Sequence, residues 1–457
     1  MLNMNERDRQ PLSAQEKAMV DPYIEAYVYG YPLVTMELMR RLMTNVNEST
    51  NTGAPMGQFS HMRRFPEPGD RDINSPNVDT LYSLAWVDLS IEPHIFSVPD
   101  PGERLFMIPL LSGWTDVFAI LGDKTTGAKA QTSMLVGPGW EGIEPQGDIA
   151  YIKSPTSIVW ILSRVYCNGT DEDYKQAHAF QDGLALTPLS AYGSTFVPAS
   201  GVRNPIIDMR TPAREQVNNL KLSEFFEVLA PLLKDNPPAE DDAKMVAKLE
   251  ALGIAPGQPF NSASFPIPII ANEHSVPRMA QQRMIDAFVD VGGIERNGWA
   301  YFTNQGVYGT DYMLRALTAL IALGASRPQD AVFPLSYVDQ NGGPYDGLAN
   351  YVLHFDAEQL PPVRGFWSLT LYDAQSRLVE NSFNRYSLSS QSNLRFNDDG
   401  SLDIHIRHVR PEDETIDNWL PSPRGKFSLM LRLYWPTTKS PSIIDNTWQP
   451  PPVRRVS

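Results

Sequence analysis

The sequence is poor in cysteine. Cys167 stands alone among 457 residues, so no disulfide can form within the chain and no zinc or iron–sulfur site can be built from cysteines. A nucleophilic role for this thiol would need a neighbouring base or cation, and the sequence indicates none. The Asn-Gly pair that follows is typical of a turn, and we interpret Cys167 as a turn thiol.

Positive charge and long apolar runs are also scarce. The net charge is −15, so the chain offers no cationic face to a nucleic acid or an anionic membrane. The nearest approach to a membrane span, residues 314–325, is interrupted and shorter than the roughly 18 apolar residues that a span needs. The first ten residues are polar, without the apolar core of a secretion signal. We therefore predict no nucleic-acid partner, no membrane partner and a cytoplasmic location.

The motifs of several large enzyme classes are missing. The chain has no GxxxxGK[ST] loop, no GxSxG elbow, no HExxH motif and no EF-hand. Its one GxGxxG match starts at Gly137 and runs into Ile-Glu-Pro, which cannot open the helix that a dinucleotide needs. Asp403 and His405 share one face of a predicted strand and His408 lies on the other, so they do not converge on a metal. We predict neither a cofactor nor a metal, although these absences do not exclude chemistry.

Hydrophobic residues make up 42% of the sequence, and 457 residues exceed the usual size of a single hydrophobic core. Helical periodicity dominates the front and the middle of the chain, and short apolar runs separated by Pro and Gly fill the other stretches. The patterns predict a mixed, β-rich α+β protein with two antiparallel β-sandwich units. We place the N-terminal helix and first sandwich at 1–200, a mainly helical connection at 201–330 and the second sandwich at 331–457.

Local signals predict the element boundaries. The Ser-x-x-Glu capping box at Ser13 begins a long helix with a bend predicted at Gly30 and Pro32, and Thr170 caps a second, short helix. The Pro-rich C-terminus is interpreted as an extended strap anchored by Trp448. The other predicted elements are helices at 223–233, 241–252, 276–291 and 311–323, and strands of the second sandwich at 351–355, 365–372, 402–406 and 427–435.

Several longer motifs, in order along the chain, resemble a pair of bacterial families. Those similar to domain-of-unknown-function family 1254 are YVYGYPLV, FSHMRRFP, SPNVDTLYSLAWVDLS, TDVFAILGDKTTG and GPGW. Those similar to its usual C-terminal companion, family 1214, are GFWSLTLYD, NRYSLS, DGSLDIHI, NWLPSPRGKFSLMLRLYWP and TWQPPPV. The resemblance covers most of the chain and implies two β-sandwich units with helical additions, without a settled activity. Many relatives begin with a secretion signal, a pattern that this sequence does not show.

The first candidate site surrounds the SPNVDT turn. His61 and Asp79 could form an oriented general base, and Tyr82 could hold or protonate a substrate oxygen. The substrate-binding residues predicted beside these catalytic residues are Arg63, Asn77 and Thr80. The alternative is structural, with Asx turns at Asn77 and Asp79, Tyr82 in the core and His61 capping a loop.

The second candidate combines Trp114, Asp116 and Arg164 as substrate-binding residues. Trp114 and Asp116 alternate onto one largely apolar strand face, where the carboxylate would need a partner. Arg164 lies near the end of another apolar strand. The alternative is a structural ion pair between Asp116 and Arg164.

The third candidate lies in the second sandwich and includes Arg385, Tyr386 and Arg432, with Asn381 and Tyr434 nearby. Every other residue from 427 to 435 is apolar, so Arg432 and Tyr434 face away from that apolar side. Arg432 could bind a substrate carboxylate through its planar guanidinium. The alternative is a pair between Arg432 and an acidic residue at the domain interface.

These groups mix polar and aromatic residues as pockets do when they bury an apolar body and orient a polar group. We expect a cofactor-independent enzyme, a hydrolase or another acid–base enzyme, that acts on a small, partly apolar organic substrate. The alternative is a noncatalytic β-sandwich protein that binds saccharide or peptide through an aromatic surface. An enclosed pocket with an acid–base pair would favour the enzyme interpretation. A shallow aromatic platform would favour the binding-protein interpretation. A homo-oligomer is left open by the sequence.

Overall fold

The computed structural model describes residues 14–70, 75–144 and 147–456. In these ranges the helices are α1 (Ala14–Thr44), α2 (Asp171–Asp182), α3 (Ala213–Asn219), α4 (Leu222–Asp235), α5 (Ala243–Ala251), α6 (Ile267–Ala271), α7 (Ser275–Asp286) and α8 (Tyr312–Ile321). The strands up to residue 188 are β1 (Phe59–His61), β2 (Thr80–Asp88), β3 (His94–Val98), β4 (Phe106–Ser112), β5 (Val117–Gly122), β6 (Gln131–Val136), β7 (Ile149–Lys153), β8 (Ile158–Tyr166) and β9 (Ala185–Pro188). The later strands are β10 (Ile294–Arg296), β11 (Trp299–Tyr301), β12 (Ala331–Val332), β13 (Leu335–Ser336), β14 (Asn350–Phe355), β15 (Trp367–Asp373), β16 (Ser387–Ser389), β17 (Leu402–Arg407), β18 (Trp419–Pro421), β19 (Phe427–Tyr434) and β20 (Val453–Val456). This order of elements confirms the predicted mixed α+β class with helical N-terminal and middle segments.

The first sandwich is built from β1 to β9. One sheet has the order β1–β2–β8–β4–β5 and the other β7–β6–β3–β9, and neighbouring strands are antiparallel except the edge pair β6 and β7. Leu81, Ala85 and Val87 of β2 point into the core between the sheets, where they join Phe96 and Leu135 of the second sheet. Because side chains alternate along a strand, the other set of β2 lies on the outer face of its sheet: Thr80, Tyr82, Leu84 and Trp86.

The second sandwich pairs a sheet of order β10–β11–β13–β19–β15–β16, with β12 also bonded to β19, with a sheet of order β18–β17–β14–β20. Its pairs are antiparallel except β17 and β18 at one edge. Leu429 and Leu431 of β19 meet Leu353 and Ile404 of the other sheet in the core. Strands β10 and β11 lie within the predicted helical connection, yet they extend this sheet, which therefore draws on residues from Ile294 onward.

Helix α1 is the centre of a helical layer. It runs unbroken through Pro22 and Pro32, without an interruption at the predicted bend. Every residue from 26 to 38 is buried, as expected of a helix surrounded by others; α3, α4, α7 and α8 pack around it. At Gly30, α4 comes so close that an added Cβ would lie 2.4 Å from Leu229 Cδ2. The cap predicted at Ser13 lies outside the described residues.

Two smaller predictions are confirmed. Thr170 Oγ1 accepts a hydrogen bond from the N–H of Asp173 (3.3 Å) and caps α2. Trp448 is buried, its indole N–H donates to Gln359 O (2.9 Å), and the chain beyond it forms the edge strand β20. Within the described ranges, each helix is too short or too polar to cross a membrane.

A further apolar cluster, which we call the junction cluster, joins the two sandwiches and the helical layer. Its buried members are Met36, Trp86, Met107, Leu111, Val117, Ile120, Trp160, Leu162, Ala331, Phe366, Tyr434 and Trp435. Trp86 and Trp160 stack with ring centroids 5.3 Å apart. The outer face of the first sandwich therefore packs against the second sandwich instead of facing solvent.

Candidate functional site

Residues from all three sequence candidates meet at the junction cluster, with which they share Tyr434. We call the group the junction site; its members are Asn77, Asp79, Tyr82, Arg164, Arg432 and Tyr434. Strand register explains how they meet, because Tyr82 lies opposite Arg164 in the β2–β8 pair. The β19 face that carries Arg432 lies away from the core of the second sandwich, as the alternation predicts, and abuts the SPNVDT turn.

Asn77 closes the turn and also reaches into the site. Its Oδ1 accepts from the backbone N–H of Asp79 (2.7 Å) and of Thr80 (3.2 Å), which forms an Asx turn. Its Nδ2 donates to the hydroxyl of Tyr434 (2.7 Å) and to that of Tyr82 (3.3 Å). The structural and functional interpretations of Asn77 are therefore compatible.

Asp79 is a buried carboxylate held by residues of the second sandwich. Its Oδ2 accepts from Ser368 Oγ (2.5 Å) and from Tyr434 OH (3.5 Å). Burial raises the pKa of Asp79, and the nearby Arg432 guanidinium and the Ser368 hydrogen bond only partly oppose this effect. Asp79 is thus closer to accepting a proton than an exposed aspartate is.

Arg432 ties the SPNVDT turn to the second sandwich. Its Nη1 donates to Thr370 Oγ1 (2.8 Å), and its Nη2 donates to Tyr372 OH (2.6 Å) and Ser75 O (3.1 Å). Burial alone would lower the pKa of Arg432, but Tyr372, Tyr434 and Asp79 together raise it above its usual value. Since Nη1 and Nη2 are bonded within the protein, the structure favours a structural role for Arg432 over direct binding of a substrate carboxylate. The partners are hydroxyls and a backbone carbonyl, so the ion pair predicted as the alternative is not formed within the described chain.

Arg164 is held more loosely. It is 7% exposed and bonds only Ser326 Oγ (Nη1, 3.3 Å) and Gly324 O (Nη2, 3.5 Å), and its buried Nε has no acceptor among the described residues. The guanidinium carbon lies 5.4 Å from the ring centroid of Tyr82 and 6.0 Å from that of Phe333. The ion pair predicted with Asp116 as the structural alternative is not formed.

The walls beside these polar groups are apolar and partly exposed. Tyr82, Leu84, Leu323 and Phe333 pack against the junction cluster while retaining some solvent contact. Behind them Trp435 adopts a positive φ of 50°, which is unusual for a bulky residue and is often found near functional sites. The site therefore combines a group of buried polar side chains with an adjoining apolar surface that is partly exposed to solvent.

His61 and Arg63 lie elsewhere. His61 Nδ1 bonds Ser83 Oγ (2.8 Å), and no hydrogen bond joins His61 to Asp79 in the part of the chain that the structure describes. The predicted His61–Asp79 pair is therefore not formed. Burial, aided by Arg63, lowers the pKa of His61 to about 4. Arg63 pairs with Asp182.

The second candidate is also divided. Trp114 donates its indole N–H to Asn236 O (3.3 Å) and Pro237 O (3.2 Å), and Asp116 Oδ1 accepts from the N–H of Tyr308 (3.0 Å). Burial raises the pKa of Asp116, and the cation that opposes this effect is Arg315, not Arg164. Sequence reasoning missed Arg315, although an arginine inside an apolar helix was a usable signal.

The side chains of Arg385 and Tyr386 form hydrogen bonds within the second sandwich, away from the junction site. Arg385 Nη1 donates to Ile416 O (2.5 Å) and Trp419 O (3.1 Å), and Tyr386 OH donates to Asn384 Oδ1 (3.2 Å). Thr80 does lie at the SPNVDT turn, where its buried Oγ1 has no partner among the described residues. Ser368 and Tyr372 were missed, although alternation along 365–372 places both on the same face.

Two groups with potential chemistry give no sign of a separate site. Burial raises the pKa of Cys167 to about 12, which disfavours the reactive thiolate. Within residues 14–70, 75–144 and 147–456, no three His, Cys, Asp or Glu side chains are grouped as a metal-ligand set.

Two sandwiches joined through a polar junction define a mixed α+β protein with its candidate site at the contact between them. Residues 56–188 match the family described as "Protein of unknown function (DUF1254)", and residues 330–438 match "Protein of unknown function (DUF1214)". The chain carries these two domains, in this order, as the sequence motifs suggested. No curated protein matches the chain.

One solved structure supports the fold. The chain is similar to the crystal structure of the VPA0106 protein from Vibrio parahaemolyticus, with a TM-score of 0.72 and 21% identity, over 96% of this chain and 100% of that one. A putative uncharacterized protein from Burkholderia cenocepacia has a TM-score of 0.42 and 12% identity, over 97% of this chain and 96% of that one. At this identity the first likeness shows the shared fold alone.

Proposed function

We propose that the chain is a cofactor-independent enzyme, a hydrolase or another acid–base enzyme, that acts on a small, partly apolar organic substrate at the junction site. The observation that carries the proposal is the Tyr82 hydroxyl, which accepts one hydrogen bond from Asn77. Among the described residues this hydroxyl has no acceptor for its own proton. A phenol in this state, beside a partly exposed apolar surface, can donate to a substrate oxygen.

The neighbouring groups give Tyr82 a suitable environment for acid–base chemistry. Asn77 also holds Tyr434, whose pKa is raised well above its usual value by burial and by Asp79. In this proposal the Tyr82 hydroxyl donates a hydrogen bond to the substrate oxygen. Asn77 and Asp79 hold the neighbouring polar side chains in place. His61 has no role here, because its Nδ1 is bonded to Ser83, which is itself buried.

The test is turnover of p-nitrophenyl esters and anilides of small aromatic and branched acids, including dicarboxylic acids that keep one carboxylate free. Tyr82→Phe removes only the hydroxyl and should lower turnover by at least about 100-fold, the usual contribution of a positioned general acid, while the melting temperature changes little. Tyr386→Phe is the matched control, because its hydroxyl bonds only Asn384 within the described chain. Full turnover in Tyr82→Phe, or no turnover of any compound by the unaltered protein, would contradict the proposal. Binding without turnover would favour the noncatalytic alternative.

A further inference from the structure

Arg164 is a buried cation that lacks a counter-charge at bonding distance. It forms no ion pair with any Asp or Glu of the described chain, whereas another arginine of the first sandwich, Arg104, pairs with Asp173 at 2.8 Å. Burying an unpaired charge is costly, and proteins normally supply it with a partner. The unfilled Nε and the weakly bonded Nη2 lie on one edge of the guanidinium, the edge that can donate two parallel hydrogen bonds to a carboxylate.

The charge balance at this place also favours an anion. The junction site contains two arginines and one aspartate, and the aspartate already opposes Arg432. Arg315 provides the contrast. Its guanidinium also lacks an ion-pair partner in the described chain, but Asp116 and Asp242 both lie in its surroundings. An incoming anion would therefore meet net positive charge at Arg164 and net negative charge at Arg315.

The surroundings of Arg164 suit an apolar body attached to that anion. The guanidinium lies against the rings of Tyr82 and Phe333, and both of these residues are partly exposed. The adjoining junction cluster also contains Trp160 and Trp435, whose buried indole N–H groups have no acceptor among the described residues. Apolar surface and unfilled donors are thus present together.

We propose that Arg164 binds the carboxylate of a small organic acid whose aromatic or branched apolar body packs against the junction cluster. This inference rests on the proposed function in placing the substrate at the same site. It goes further by giving the substrate a negative charge and by assigning the recognition of that charge to Arg164.

The test is isothermal titration calorimetry of the full chain with benzoate and benzamide, and with phenylacetate and its amide. Each pair keeps the shape and changes the charge. The carboxylates should bind at least about tenfold more tightly than the amides, because charge-assisted hydrogen bonds contribute more than neutral ones. Equal affinity for acid and amide, or no binding of either acid, would overturn the inference.

Two substitutions then locate the charge recognition. Arg164→Met should abolish the preference for the acids, and Arg315→Met, the matched control, should retain it. If Arg164→Met does not fold, Arg164→Lys keeps the charge, removes the planar edge and should reduce the preference. If a folded Arg164 variant kept the full preference for acids over amides, Arg164 would not be the residue that recognises the carboxylate.

The outcomes separate this inference from the proposed function. Binding of carboxylates without turnover of any ester or anilide would support the role of Arg164 and contradict the enzyme. Turnover of neutral compounds by a protein that binds acids and amides equally would contradict the role of Arg164 and support the enzyme.

Discussion

At the scale of single residues, Asn77 shows what the sequence could and could not predict. Its Asx turn depends on neighbours two and three positions away, so the SPNVDT pattern was sufficient to predict it. Its bond to Tyr434 joins positions 357 residues apart and depends on how two sandwiches pack. The polar residues of the site were therefore identifiable one by one, but their partners were not.

Asp79→Asn should lower the free energy of unfolding by about 1–3 kcal/mol, because the hydrogen bonds that Ser368 and Tyr434 donate to this buried carboxylate are weakened or lost. Urea unfolding measures the change. Asp399→Asn is the control: this carboxylate also accepts from a serine, Ser401, but it is fully exposed, and its loss should matter less. Equal effects of the two changes would show that the hydrogen bonds of buried Asp79 contribute no more to folding than those of an exposed aspartate.

His61 should make the protein less stable in acid. Its folded pKa of about 4 lies below the ordinary value of 6.5, so the unfolded chain binds this proton first as pH falls. The stability that the neutral imidazole contributes is present above pH 6.5 and is lost progressively towards about pH 4. His61→Gln should therefore lose less stability than the unaltered protein when urea unfolding is compared across this range.

His354 provides a control, because its effect on stability changes with pH in the opposite direction to that of His61. Its hydrogen bond to Asp403 raises its pKa, so its contribution is fully present below pH 6.5 and is lost as pH rises through the folded pKa. The same acid dependence in His61→Gln as in the unaltered protein would contradict the assignment to His61.

At the scale of secondary-structure elements, long periodic segments were predicted well and short ones were not. Helix α4 was predicted at 223–233 and occupies 222–235, and β19 was predicted at 427–435 and occupies 427–434. Strands β10 and β11 have three residues each, too few for a period of two to be recognised. Their place in the sheet is set by pairing with distant strands.

Helix α8 carries a further prediction, because Arg315 lies among the rings of Tyr29, Trp114 and Tyr312 at 4.8–5.3 Å from their centroids. Arg315→Lys keeps the charge but loses the flat face that stacks on these rings. We expect the free energy of unfolding to fall by about 1–3 kcal/mol. Arg283→Lys on α7, an exposed arginine paired with Asp21, should change it by less than about 0.5 kcal/mol. Similar small effects of both changes would show that the stacking contributes little.

At the scale of the whole molecule, we expect the segment 193–212 to be the most susceptible to proteolysis. It contains no helix or strand, and Val197, Val202 and Ile206 are 80–90% exposed. Thermolysin should cut here first, because such sites offer an extended, accessible backbone. Mass spectrometry of an early digest identifies the cut. The loop-rich stretch 326–347 should resist longer, because β12 and β13 within it are bonded to the sheet. A first cut between 326 and 347 would contradict this order.

The position of β19 in the middle of its sheet determines when the site can form during synthesis. β19 lies between β13 and β15, and Arg432 and Tyr434 belong to it. A nascent chain that has not yet emerged past residue 434 already carries Asn77, Asp79, Tyr82 and Arg164, yet Arg432 and Tyr434, with the hydrogen bonds of Tyr434 to Asn77 and Asp79, are still missing. Until then the outer face of the first sandwich, with Trp86 and Trp160, has no partner from the second. Ribosome-bound intermediates of this protein should therefore expose an apolar surface around Trp86 and Trp160 that chaperones can bind, and every product that terminates before residue 434 should lack the complete site.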